Sequence, residues 1–240
     1  MIVLYVLLGI IVFYFLFMIT ISYTIPRKNY TKVSKFYKAI LLANIKLALF
    51  VCGVRIKTSG KELIDAIDGR FLLVSNHLSN LDPIVTIDFL GKHDVGFISK
   101  RAVFKKFCIG RIIRKICCLP INRKSPRQSM ETVNFATNLI INNACSMGVY
   151  PEGTRNRGDA KQLLPFHDGM FKIAKKANIP IVVVCIYGTQ NGKENIRRFR
   201  RTNVSLDVLK VIPKETVQEL TTHELSRDVR ELMTNCLNSK

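Results

Sequence analysis

FLLVSNHLSNLDP, residues 71–83, decides the fold class. Its first half, Phe71–Asn76, is a short continuous apolar run after the Asp68–Gly69 turn. That is the pattern of a buried strand. Its second half ends in Asp82–Pro83, which opens a helix, because Asp is favoured as an N-cap and Pro at the first helical position. A buried strand, a loop and a helix start in direct succession make one βα unit.

The same alternation continues on both sides. VRIKTSG (54–60), DVGFISK (94–100) and ICCLPINR (116–123) predict strands. Ser125–Pro126 repeats the helix-start signal, with Met130, Val133, Ala136 and Ile140 on one helical face. GVYPEG (148–153) ends another strand. FHDGMFKIAKKAN (166–178) predicts a basic helix, IPIVVVCIYG (179–188) a buried strand and VSLDVLKVI (204–212) the last strand. Thr221 and Glu224 form a capping box for a C-terminal helix whose Leu225, Val229, Leu232, Met233 and Cys236 face one way. The expected class is α/β, with a mixed, mostly parallel sheet flanked by helices.

The chain start has another character. Ile2–Ile25 contain no charged side chain. As a helix this stretch spans roughly 36 Å, against about 30 Å for a hydrocarbon core. It lacks the basic start and small-residue end of a cleaved signal. Arg27, Lys28, Lys32, Lys35 and Lys38 come next, which predicts a cytoplasmic side after the helix. A second apolar stretch, 36–54, is interrupted by Lys38, Asn44 and Lys46, and so predicts an interfacial or packed amphipathic helix. The expected division is a membrane-associated segment 1–54, with a transmembrane helix 2–25 and an amphipathic helix 36–54, and a catalytic domain 55–240.

A formal charge of +20 favours anionic partners: acidic lipid surfaces, nucleic acid, acidic proteins or phosphorylated substrates. No nucleic-acid motif is present and the basic residues are not interleaved with aromatics, so nucleic acid is not an expected partner. The seven cysteines form no C-x-x-C pair and sit largely in apolar runs, which predicts reduced packing residues. The four histidines show no metal-ligand spacing. There is no G-x-S-x-G elbow and no Walker loop, which disfavours serine hydrolases and P-loop enzymes.

Two loops carry chemistry. In the first, His77 comes after a buried strand, where α/β proteins concentrate functional groups. An imidazole can take a proton from a hydroxyl, and Asp82 can reach back across a turn to fix its tautomer. A plain helix cap would also account for Asp82. In the second loop, YPEGTRNR (150–157), Arg155 and Arg157 offer forked donors for phosphate, and Gly153 allows close backbone approach. Glu152 can bind a hydroxyl or fix an arginine.

These motifs in this order resemble the glycerolipid acyltransferase family, and within it the branch acting on 1-acylglycerol-3-phosphate. Asn76, His77 and Asp82 resemble its first motif. Lys100, Gly110 and Ile121-Asn122-Arg123 resemble its second region, and Pro151–Arg155 its third. Leu164-Pro165-Phe166 with Gly169, then Ile179–Val182, resemble the family's later segments, except that Val183 stands where the family usually has a second proline. The resemblance covers roughly residues 55–215. It implies His77 as general base, Asp82 as its orienter, and Lys100, Arg123, Glu152, Gly153, Thr154 and Arg155 on the acceptor's glycerol phosphate.

The implied reaction moves an acyl chain from an acyl thioester onto the 2-hydroxyl of 1-acylglycerol-3-phosphate, to give phosphatidic acid in phospholipid biosynthesis. It has no acyl-enzyme, no metal and no cofactor. The implied partners are the lysophospholipid acceptor, an acyl-carrier protein or acyl-CoA as donor, and an anionic membrane surface. Sibling activities on glycerol-3-phosphate, another lysophospholipid or a lyso-aminolipid remain open, as does a membrane-tethered basic nucleic-acid-binding protein.

Overall fold

The computed structural model covers residues 1–240; the side chains of Ile2, Val3, Leu4, Leu7, Ile10 and Ile11 lie outside what it describes. Two helices come first, α1 (Ile2–Tyr23) and α2 (Lys35–Val51). After them come β1 (Val54–Ser59), α3 (Lys61–Asp65), β2 (Leu72–Ser75), α4 (Asp82–Phe89), β3 (Val95–Lys100), α5 (Ile109–Ile112) and β4 (Leu119–Ile121). Next are α6 (Pro126–Ile141), β5 (Ser146–Val149), α7 (Lys172–Ala177), β6 (Ile181–Tyr187), α8 (Gly192–Arg197), β7 (Thr202–Ile212), α9 (Lys214–Glu219) and α10 (Thr222–Asn238).

The strands form one seven-stranded sheet in the order β1-β7-β6-β2-β5-β3-β4. Every neighbouring pair is parallel except β6 with β7, whose register shifts between Val183 and Val184. The expected mixed, mostly parallel α/β class is therefore observed. β6 is buried from Ile181 to Ile186, as a central strand covered on both faces must be.

Side chains alternate between two cores. Leu72, Val74, Val183 and Cys185 join α6, α7 and α10 on one face. Leu73, Val182, Val184 and Ile186 join α2 and α4 on the other. This period of two is a consequence of the pleat.

Several local expectations hold. Ser125 caps α6 by accepting from the Gln128 N–H, and the Thr221–Glu224 capping box is complete. Of the seven free cysteines, expected as buried packing residues, Cys117, Cys118, Cys145 and Cys185 are buried, whereas Cys52, Cys108 and Cys236 are partly exposed. Three further details differ. Met130 is exposed, because α6 turns only Val133, Ala136 and Ile140 of the expected stripe into the core. The basic helix over 166–178 shrinks to α7 after a short 3-10 turn, Asp168–Met170. Asp82 is the first residue of α4 and not its N-cap, since its carboxylate reaches back into the preceding loop.

At the chain start, α1 forms over the uncharged stretch. Among the described residues no helix is long and apolar enough to cross a membrane. The span expected over 2–25 includes those six side chains at its start and so lies in part outside the described residues. α2 is two-sided. Leu41, Ile45 and Leu49 enter the core, while Phe36, Leu47, Phe50 and Val51 stay exposed. The half-buried Lys38 of α2 donates to Asp94 Oδ1 at 2.7 Å and to the His93 carbonyl at 2.9 Å, tying the helix to the start of β3.

Candidate active site

The expected site residues stand at the carboxyl ends of parallel strands. His77 comes just after β2, Lys100 ends β3, Arg123 comes just after β4, and Glu152–Arg155 come after β5. In open α/β sheets ligands bind beyond these ends, where loops from neighbouring strands meet.

The histidine loop is held on every side. Asn76 is fully buried and copies a strand pairing with its side chain: Nδ2 donates to the Ile186 carbonyl and Oδ1 accepts from the Ile186 N–H, both at 2.8 Å. The His77 carbonyl accepts from the Asn156 N–H at 2.7 Å. His77 Nδ1 lies 2.7 Å from Asp82 Oδ2. A carboxylate only accepts, so Nδ1 carries the proton and Nε2 is the basic nitrogen. The Tyr150 ring stacks on the imidazole, with centroids 4.4 Å apart and planes at 21°.

Asp82 is fully buried. Its Oδ2 also accepts from the Leu78 and Ser79 N–H groups at 2.7 Å, and its Oδ1 accepts from the Thr189 hydroxyl. These donors stabilise a carboxylate that burial would otherwise penalise. Thr189 lies just beyond β6 and was not anticipated, since nothing in its local sequence signals contact with a residue so distant along the chain.

Glu152 departs from its expected place on the acceptor. It is 3% exposed, and its two oxygens accept from the His77 N–H at 2.6 Å and the Leu164 N–H at 3.0 Å. The carboxylate therefore staples the two loops together and is not on the wall of the cavity into which His77 opens. Burial pushes its pKa up from the ordinary carboxylate range, and the two backbone donors pull it partly back.

That cavity measures about 530 Å³, and Lys100, Arg123, Gly153, Thr154 and Arg155 line it together with His77. Much of its lining is apolar, contributed by Leu41 and Ile45 of α2, Ile84 and Ile87 of α4, Phe97 of β3 and Val103. Lys100, Arg123 and Arg155 enter no ion pair among the described residues. Desolvation lowers the Arg123 pKa, yet a guanidinium remains cationic.

Gly153 has a φ of 67°, and a Cβ there would lie 2.7 Å from the His167 ring. Only glycine fits this bend without moving that histidine. His167 lines a second cavity of about 310 Å³ that shares Arg123, Tyr150 and Gly153 with the first. The "P-F-x-x-G" pattern left its position unspecified, so His167 too went unforeseen. The arrangement suits an amphipathic ligand, because cations for an anionic head, an apolar lining for a tail and the histidine share one cavity. Among the described residues no three His, Cys, Asp or Glu side chains converge as metal ligands.

The sequence model of the family described as Acyltransferase matches residues 55–187. A protein named probable 1-acyl-sn-glycerol-3-phosphate acyltransferase, from Mycoplasma pneumoniae, is 30% identical over 184 residues, covering 75% of this chain and 66% of that protein. The 1-acyl-sn-glycerol-3-phosphate acyltransferase of Salmonella typhimurium is 29% identical over 168 residues, covering 70% of this chain and 64% of that protein. The matches thus span about two thirds of these relatives' lengths. The crystal structure of the 1-acyl-sn-glycerophosphate acyltransferase PlsC from Thermotoga maritima superposes with a TM-score of 0.69 at 22% identity, covering 95% of this chain and 88% of that one.

Proposed function

Because this chain belongs to the acyltransferase family, we propose that it transfers an acyl chain from an acyl thioester to the 2-hydroxyl of 1-acylglycerol-3-phosphate. The product is phosphatidic acid, a precursor in phospholipid biosynthesis. The carrying observation is the His77–Asp82 pair opening on a cavity lined by cations that join no ion pair among the described residues and by apolar side chains.

His77 Nε2 takes the proton of the acceptor hydroxyl as its oxygen bonds the thioester carbonyl carbon. The tetrahedral intermediate then collapses, the C–S bond breaks, and the leaving thiolate receives the proton from the imidazolium. Asp82 stabilises the cationic ring and fixes its tautomer. The thioester is already activated, so positioning and deprotonation supply the rate. Arg123, Arg155 and Lys100 neutralise the acceptor phosphate, while Gly153 and Thr154 shape its approach. Glu152 acts through the His77 backbone and not on the acceptor.

The donor is acyl-carrier protein or acyl-CoA. The enzyme works at the cytoplasmic face of a membrane, attached through residues 1–54, with 55–240 as the catalytic domain. This is supported by the uncharged start, the basic residues after it, and exposed aromatics such as Phe13 and Phe50.

The test crosses both donors with 1-acylglycerol-3-phosphate, glycerol-3-phosphate and other lysolipids. Acylation of another acceptor while 1-acylglycerol-3-phosphate is ignored would defeat the acceptor assignment. His77→Ala should lose on the order of 10²–10⁴ in turnover with the fold intact, and near-normal turnover would defeat the base assignment.

A further inference from the structure

The turn from α8 into β7 reads IRRFRR, Ile196–Arg201. Phe199 at its tip is 100% exposed and has a φ of 52°. That left-handed backbone is unfavourable for a bulky L-residue. A purely solvated turn gains nothing from holding a phenylalanine in this way, and glycine or asparagine would fill the position without strain. All four flanking arginines are exposed. Arg198 pairs with Glu194 at 2.9 Å, whereas Arg197, Arg200 and Arg201 join no ion pair among the described residues.

The turn is anchored at both ends. The Thr202 N–H donates to the Gly53 carbonyl at 3.1 Å, and the Arg201 side chain lies beside Gly53. Gly53 sits just past the end of α2, where Phe50 and Val51 are 84% and 74% exposed. Through Gly53 the arginine turn is joined to the exposed apolar end of α2. Its other end leads back to the site: Gly192 lies against Leu81 of the histidine loop, and Thr189 holds Asp82.

We propose that residues 196–201 are a docking point for an anionic bilayer surface. Phe199 enters the boundary between headgroups and acyl chains beside Phe50 and Val51, while Arg197, Arg200 and Arg201 contact lipid phosphates. An aromatic tip ringed by cations suits that boundary, where apolar burial and attraction to anionic lipid act together. An acidic carrier protein would satisfy the arginines alone. The continuity with the apolar end of α2 selects the lipid. Docking here presents the histidine loop to the layer that holds the acceptor. The inference rests on the proposed membrane attachment through residues 1–54.

The test measures binding of the full chain to vesicles of phosphatidylcholine with and without phosphatidylglycerol. It compares the wild type with Phe199→Ser and with the triple variant Arg197→Gln, Arg200→Gln, Arg201→Gln. The triple variant should lose on the order of 10- to 100-fold in affinity for the anionic vesicles alone. Phe199→Ser should weaken binding to both. Both variants should keep the wild-type circular dichroism spectrum and turnover of a short-chain, water-soluble acceptor. Equal vesicle affinity in all three proteins overturns the docking point and leaves membrane attachment standing. Failure of the wild type to bind any vesicle overturns both. Unchanged vesicle affinity with a loss confined to acyl-carrier protein as donor assigns the turn to a protein partner and overturns the proposal.

Discussion

Asp82 shows how much one carboxylate can organise. It orients the imidazole, satisfies two backbone N–H groups and takes the Thr189 hydroxyl, all while fully buried. Thr189→Val keeps the shape and removes one donor, leaving Oδ1 without that partner. The expected cost is about 1–3 kcal/mol of stability, with a fall in turnover and little change in acceptor KM. Chemical denaturation and steady-state kinetics would show both. Glu152 gives a pH signature. Its folded pKa is raised, so the folded state holds the proton to higher pH than the unfolded chain, and its contribution to stability weakens as pH rises through the folded value. The stability difference between wild type and Glu152→Gln should therefore move in favour of Gln from acid to neutral pH. A pH-independent difference would contradict the buried staple. His77 and Asp82 were legible in the sequence because they are near neighbours across one turn. The role of Glu152 was not, because its partners belong to two other loops.

At the scale of elements, α2 is the piece on which the cavity depends. Leu41 and Ile45 form part of the cavity's apolar lining, and Lys38 fastens the helix to Asp94 ahead of β3. Burial raises the Asp94 pKa, but the hydrogen bond and charge of Lys38, together with the charges of Lys35 and Arg70, more than offset it, so the net shift is downward. A depressed carboxylate contributes stability above its unfolded pKa and loses it as pH falls through the folded value. Lys38→Met should then cost about 1–3 kcal/mol near neutral pH. That deficit should close as pH falls below the ordinary carboxylate range, as thermal denaturation would show. Most elements were readable from local signals: apolar runs for β2 and β6, and serine and threonine caps for α6 and α10. α7 is shorter than the helix expected over 166–178, because a 3-10 turn, Asp168–Met170, precedes it.

The molecule carries a net charge of +20, and Lys100, Arg123 and Arg155 in the site join no ion pair among the described residues. Attraction of a phosphorylated acceptor should be screened by salt. The acceptor KM should rise roughly threefold to tenfold over a tenfold increase in ionic strength, with kcat nearly constant. A salt effect confined to kcat would place the charges elsewhere in the cycle.

The βα alternation, the caps and the His77–Asp82 pair each depend on residues close together along the chain, and so can be read from the sequence. Only packing brings Glu152 inward, adds Thr189 to the partners of the Asp82 carboxylate and sets Arg123 and Arg155 in one cavity. Those meetings arise from the strand order β6-β2-β5-β3-β4, which brings five carboxyl ends side by side. Strand order is set by long-range burial of two apolar faces, and local propensity carries no record of it.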